Sequence, residues 1–310
     1  AASCGGQQQQ QQSACQEKGV CAKAFDTTVN GKKTGLYTLK NAKGTKVQIT
    51  NFGGRIVSIV LNDKNGNPQD VVLGFDKVAK YADKENSPSD FGASIGRYAN
   101  RIFHGQITCD GQTIQLPINN FGHCLHGGPD GWQYQVYDVV SSSDKELVIQ
   151  MDSKDGDMNF PGNLKATVKF TLDDNNGLNI DYSATTDKQT VINMTNHSYF
   201  NLNGDPTKPI NNHTLYINAD NYTPVDSSYM PIGEIASVEG LAFDCRNEAE
   251  IGERITNNGA AHQQVKFGNG FDHNWVLNTY KDGKGDLNTV AASIYSPVTG
   301  IKLDVYTNEP

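Results

Sequence analysis

Ten residues, Asn193-Met-Thr-Asn-His197-Ser-Tyr-Phe-Asn-Leu202, gather a histidine, a serine, two aromatics and three asparagines directly after a strand-like run at Thr190-Val-Ile. A polar and aromatic mixture at a strand end suits the rim of a ligand pocket, where an imidazole can move protons. On composition alone it reads equally well as a polar turn with a hydrogen-bonded histidine. Four other patches are similar: Gly96-Arg-Tyr-Ala-Asn-Arg101-Ile, Cys124-Leu-His126-Gly-Gly128, Gly268-Asn-Gly-Phe-Asp272-His273 and Tyr306-Thr-Asn-Glu309-Pro310. Each is weak by itself. Arg97 and Arg101 read as well as surface charges. His123 and His126 could pair on a metal, but no carboxylate or third ligand stands at a regular offset. Asp272-His273 sits in glycine-rich turn chemistry.

The elements that must position these patches are short strands punctuated by turns. Gly35–Lys40 and Lys46–Thr50 flank Asn41-Ala-Lys-Gly44, and Arg55–Leu61 and Asp70–Gly74 flank Asn62–Asn67. Gly105–Cys109 and Gln112–Leu116 flank Asp110-Gly111, a pair suited to the positive φ of a tight turn, with Ile114, Leu116 and Ile118 alternating onto one face. Glu146–Met151, Ala166–Leu172, Leu178–Tyr182 and Thr214–Asn218 continue the rhythm. No helical stripe of three turns is visible. The expected fold is all-β, a large antiparallel β-sandwich with few or no long helices and long functional loops. No linker-like break or fixed repeat follows Ala24, which implies one domain over residues 25–310.

Residues 1–24 stand apart. Six consecutive glutamines follow Ala-Ala-Ser-Cys4-Gly-Gly, a low-complexity composition expected to form a disordered tether. Small residues ahead of Cys4 and a polar tether behind it resemble the mature end of a bacterial lipoprotein. That points to a periplasmic or membrane-anchored protein with a lipid on Cys4; the alternative is a trimmed cytoplasmic leader. Cys15 and Cys21 could close a small disulfide loop, whereas Cys109, Cys124 and Cys245 read as reduced core residues.

The 310 residues suffice for a large core, and the formal charge of -8 with only five arginines argues against a nucleic-acid groove. With 36% hydrophobic residues and a mean hydropathy of -0.54, no run approaches a membrane-spanning helix. The six cysteines show no paired C-x-x-C spacing for structural zinc. A neutral or cationic small-molecule partner, or none, is what this balance suggests.

Taken in order, Asn-Phe-Gly-Gly54, Gly-Arg-Tyr-Ala-Asn-Arg-Ile102, Leu-His-Gly-Gly128, Thr-Asn-His-Ser-Tyr-Phe-Asn-Leu202, Gly-Phe-Asp-His273 and Thr-Asn-Glu-Pro310 resemble the aldose 1-epimerase (galactose mutarotase) family from about residue 25 onward. The resemblance implies a galactose mutarotase-like β-supersandwich and an isomerase that interconverts the α and β anomers of free hexoses such as glucose and galactose. It implies Glu309 as base and His197 as acid. His126 would assist near the ring oxygen or bind a hydroxyl, and Asn100, Arg101 and Asp272 would bind sugar hydroxyls. Tyr199 or Phe200 would offer an apolar face, and His273 would be structural. A carboxylate that titrates near pH ~4.3 and an imidazole near ~6.5 supply such a pair around neutrality, with no cofactor or metal. The family continues past Glu-Pro with a glycine and further strands, so the chain reads as truncated at Pro310, its candidate base penultimate. Two alternatives stay open: a non-catalytic carbohydrate-binding sandwich, and a sugar-phosphate epimerase, which would need more cations than Arg97 and Arg101.

Overall fold

A computed structural model describes residues 17–259 and 262–310. The glutamine run, the Cys4 anchor and the Cys15 half of the proposed disulfide lie outside the described residues. Residues 18–24, expected in the tether, are held against the fold: Val20 N–H donates to Gln48 Oε1 at 2.8 Å, and Ala22–Phe25 forms a 3₁₀ turn whose Phe25 is fully buried. The segment turns inward because Phe25 joins Phe52, Val57, Val78 and Tyr81 in an apolar cluster.

Although no compositional break marks it, the chain divides into two compact units. The first ends at Phe200 and omits Asp63–Asn67; the second comprises Asp63–Asn67 and Asn201–Pro310. The boundary falls inside the Asn193–Leu202 stretch, where both sides carry the same strand and turn chemistry.

In the first unit two antiparallel four-stranded sheets face one another. One runs Leu36–Lys40, Lys46–Thr50, Arg55–Asn62 and Pro68–Asp70; the other Asp138–Ser142, Glu146–Ser153, Leu164–Leu172 and Leu178–Thr186. Their inner faces share one core, with Leu39, Val47, Ile49 and Ile56 from the first packed with Leu147, Ile149, Met151, Val168 and Phe170 from the second, around Trp132 and Tyr137. Leu164–Leu172 alternates strictly, burying every second residue from Leu164 to Leu172, the period of a half-buried strand.

The Asp110-Gly111 hairpin forms as expected, pairing Cys109 with Gln112 across residues at φ 49° and 74°. Ile118 departs from expectation: it is 49% exposed, because the strand ends at Gln115 and the alternation ends with it. The partner of Arg55–Asn62 also falls earlier than expected, at Pro68–Asp70. Its last residue, Asp70, accepts from Ser58 Oγ at 2.7 Å, and beyond it Val72 bridges to Phe200.

The second unit holds a sheet in the order Ala249–Glu250, Thr214–Ile217, Ala292–Tyr295, Lys302–Val305, and a three-stranded sheet centred on Asn221–Thr223. Tyr222 and Phe243 stack at 4.6 Å over its core. The longest α-helix among the described residues is Gln263–Gly268. No helix there is long and apolar enough to cross a membrane. The all-β expectation holds.

Candidate active site

The histidine stretch is fixed by backbone pairing. Thr195–Asn196 pairs with Ser94–Ile95. His197 N–H donates to Ala93 O at 2.9 Å, and Gly92 N–H to His197 O at 3.0 Å. Asp90 is drawn into the same corner, since Ala93 N–H donates to the Asp90 carbonyl at 3.1 Å.

His126 arrives by a second short ladder, Cys124–Leu125 against Arg101–Ile102. This pairing sets His126 opposite Asn100, and the two exchange bonds: His126 N–H to Asn100 O at 3.1 Å, and Asn100 N–H to His126 Nδ1 at 2.9 Å. Both residues adopt positive φ, 50° and 63°, a conformation asparagine and histidine tolerate better than branched residues. The approach requires Gly127, where a Cβ would lie 2.2 Å from Gly96 O. Gly96 in turn admits the Trp132 ring, 2.0 Å from its would-be Cβ. The glycines of the two motifs thus let their backbones touch.

The outcome is a cluster of Asp90, His126 and His197 whose ligand-type atoms all lie within 4.8 Å of one another. His126 Nε2 stands 3.9 Å from Asp90 Oδ2, and its side chain is 12% exposed. The two imidazoles meet edge to face at 5.0 Å and 87°, and Tyr199 lies 5.1 Å from His197. Burial pushes the His126 pKa down to about 4; Asp90 opposes the shift, while His197 and Arg101 reinforce it. His126 is therefore neutral around pH 7. Because its Nδ1 accepts the Asn100 N–H, its proton sits on Nε2 and points into the cluster.

That tautomer decides whether the trio suits a metal ion. A metal on Nε2 would require the proton on Nδ1, against the Asn100 N–H, whereas metal-bound histidines donate their other N–H to an acceptor. The donor set fits a hydrogen-bonding imidazole, not a ligand. His123, the other member of the pair considered from sequence, turns elsewhere: its Nδ1 accepts from His104 N–H at 3.1 Å, and the two rings stack at 5.6 Å.

Arg101 and Asn100 border the cluster. Arg101 Nε donates to Asn120 Oδ1 at 3.0 Å, and its backbone N–H to Asn100 Oδ1 at 2.9 Å. Arg97 is not a surface charge. It is 1% exposed and donates to Ser153 Oγ, Ser153 O, Lys154 O, Pro161 O, Gly162 O and Thr190 Oγ1 at 2.7–3.2 Å. A concave surface of about 590 Å³ between Lys32–Tyr37 and Val136–Val139 contains none of the cluster residues.

His197, His126, Asn100 and Arg101 thus assemble in the first unit; Asp272 and Glu309 belong to the second. Asp272 is exposed just ahead of the strand Asn274–Val276. His273 contacts Gln264 Oε1 through Nε2 at 3.1 Å and packs 4.5 Å from Phe243, the satisfied structural role expected of it. Glu309 is exposed, and its N–H donates to Thr307 Oγ1 at 3.1 Å. The backbone of Asn308 before it lies against Gly285, where a Cβ would come within 2.2 Å.

Sequence reasoning missed Asp90 and the buried Arg55 beneath it. Asp90 sits in Ser-Pro-Ser-Asp-Phe-Gly, a turn composition that signals nothing about charge placement.

A family model described as aldose 1-epimerase matches residues 35–310. The aldose 1-epimerase of Escherichia coli (strain K12) is 38% identical over 281 residues, covering 91% of this chain and 78% of that protein. The galactose mutarotase of Bos taurus is 39% identical over 267 residues, covering 86% and 72%. Among solved structures, an aldose epimerase homologue from C. elegans superposes with a TM-score of 0.77 at 29% identity, covering 87% of this chain and 78% of that one.

Proposed function

Since the chain belongs to the aldose 1-epimerase family, it is an isomerase that interconverts the α and β anomers of hexoses, and we propose that His197 is the acid and Glu309 the base of that reaction. The base removes the proton of the anomeric hydroxyl. The bond between C1 and the ring oxygen breaks as the acid protonates that oxygen, leaving the open aldehyde. Rotation about C1–C2 presents the other carbonyl face, and the two groups acting in reverse close the opposite anomer.

The observation that carries the assignment is the tautomer of His126. With Nδ1 engaged by the Asn100 N–H and burial keeping the ring neutral, His126 donates a hydrogen bond from Nε2 but carries no proton to give up as an imidazolium. His197 is the histidine of the pair left for proton transfer. In this reading His126, Asn100, Arg101 and Asp272 bind the sugar, charged partners making the stronger bonds to neutral hydroxyls. A sugar-phosphate substrate is disfavoured because Arg97, one of its two candidate cations, is buried among backbone carbonyls.

Polarimetry on freshly dissolved α-glucose or α-galactose tests the assignment. His197→Asn and Glu309→Gln should each lower kcat by about 10²- to 10⁴-fold with a much smaller change in KM. Either variant turning over near the wild-type rate removes that residue from its role.

A further inference from the structure

Asp90 lies within 4.8 Å of both site histidines, yet its carboxylate makes no hydrogen bond among the described residues, and its ion-pair contact there is His126 Nε2 at 3.9 Å. The turn that carries it is held by other means. Arg55, 0% exposed, donates from Nη2 to Ser89 O at 3.0 Å and from Nη1 to Phe91 O at 3.0 Å, gripping the backbone on either side of Asp90. The same guanidinium is anchored to Gln133 O at 2.9 Å and lies 5.1 Å from the Tyr81 ring. A rigid turn thus presents a half-buried carboxylate, uncommitted to the fold, to a pair of imidazoles of which one is neutral.

We propose that Asp90 is a positioning residue of this active site, its carboxylate serving as the counter-charge for the imidazolium of His197. An opposite charge at this range favours the protonated form of its neighbour. The charge stands within 4.8 Å of the ring, and it acts on a site whose other histidine is held neutral by burial. The groups facing the pair are Asp90 from the Ser89–Phe91 turn, Arg101 from the strand Arg101–Ile102 and Tyr199 from the histidine's own stretch; Arg55 faces Asp90 from below. The inference rests on the assignment of His197 as acid.

The competing structural role is that Asp90 only balances the buried Arg55, whose charge it supports. Asp90→Asn separates the two. Its backbone contacts are untouched, so it should fold, and Asp90→Glu serves as the conservative variant. Ring 15N and 13C resonances of His197 are followed against pH in the wild type and both variants. In Asp90→Asn the imidazolium should give up its proton about one pH unit lower than in the wild type, and Asp90→Glu should recover most of the difference. In polarimetry the alkaline limb of kcat should move to lower pH by the same amount while KM changes less than about twofold. A lowered Tm with an unchanged histidine titration assigns Asp90 to Arg55 alone and overturns the proposal. A wild type that fails to accelerate mutarotation sinks the acid assignment instead, and the resonance titration still decides whether Asp90 is the counter-charge.

Discussion

Arg97 and Arg101 share the Gly96–Ile102 segment and end in opposite circumstances. Arg97 turns inward, where its five N–H groups meet four backbone carbonyls and two hydroxyls from the segments at Ser153–Lys154, Pro161–Gly162 and Thr190. Arg101 stays half-buried beside His126 and shares its bonds with two asparagine side chains. The first commits its charge to tying a strand end and neighbouring loops together; the second keeps a cationic head near the histidines. One motif supplies both the scaffold of the site and an edge of it, which is why its residues cannot be ranked by type alone.

The largest expected break in that contrast is Arg97→Met. It strips hydrogen-bond donors from several buried carbonyls at once, and losses of about 3–5 kcal/mol are typical when one partner of such a buried network is removed. Denaturant melts should show that loss. Arg97→Lys should recover only a minor part, because an ammonium cannot reach acceptors spread around a planar fork.

Next in size is the cost that the site itself imposes on the fold. His126 has a pKa near 4 when folded and an ordinary value near ~6.5 when unfolded. Between those values the unfolded chain binds the extra proton, so this group's contribution to stability falls as pH drops from ~6.5 towards 4 and levels off below it. The single group contributes on the order of 3 kcal/mol at most. Urea melts of the wild type and His126→Gln across this range should diverge, with the variant showing the shallower pH dependence.

The smallest effect is expected for Arg101→Ala. If Arg101 binds sugar hydroxyls, KM should rise by about 10-fold, with kcat and Tm nearly unchanged. A loss of stability comparable to that of Arg97→Met would erase the distinction between the two arginines.

Much of this arrangement was legible beforehand. The strand rhythm identified the all-β class, and the Asp110-Gly111 hairpin formed in the expected register because positive φ at both turn residues leaves few alternatives. The patches carrying His126, His197, Asn100 and Arg101 were visible where alternation stops, and the family resemblance implied their roles. The sequence left Arg97 open between a surface charge and a site cation, since a guanidinium is buried only when distant carbonyls converge on it, and their convergence is a property of the folded loops. Asp90 was invisible for the same reason. Its turn is positioned by Arg55, far back in the chain on Arg55–Asn62. Ile118 failed differently: the alternation was extended beyond the point where hydrogen bonding ends.

By itself the sequence determined which residues carry protons and hydrogen-bonding groups, the two-residue period of the strands, and the family. These are local properties of composition and order. Only the tertiary structure decided that His126 donates from Nε2, that Arg97 belongs to the scaffold, and that Asp90 stands beside both histidines. Tautomer, burial and counter-charge depend on what lies across a few ångströms of space, and the contacts that set them come from segments far apart along the chain.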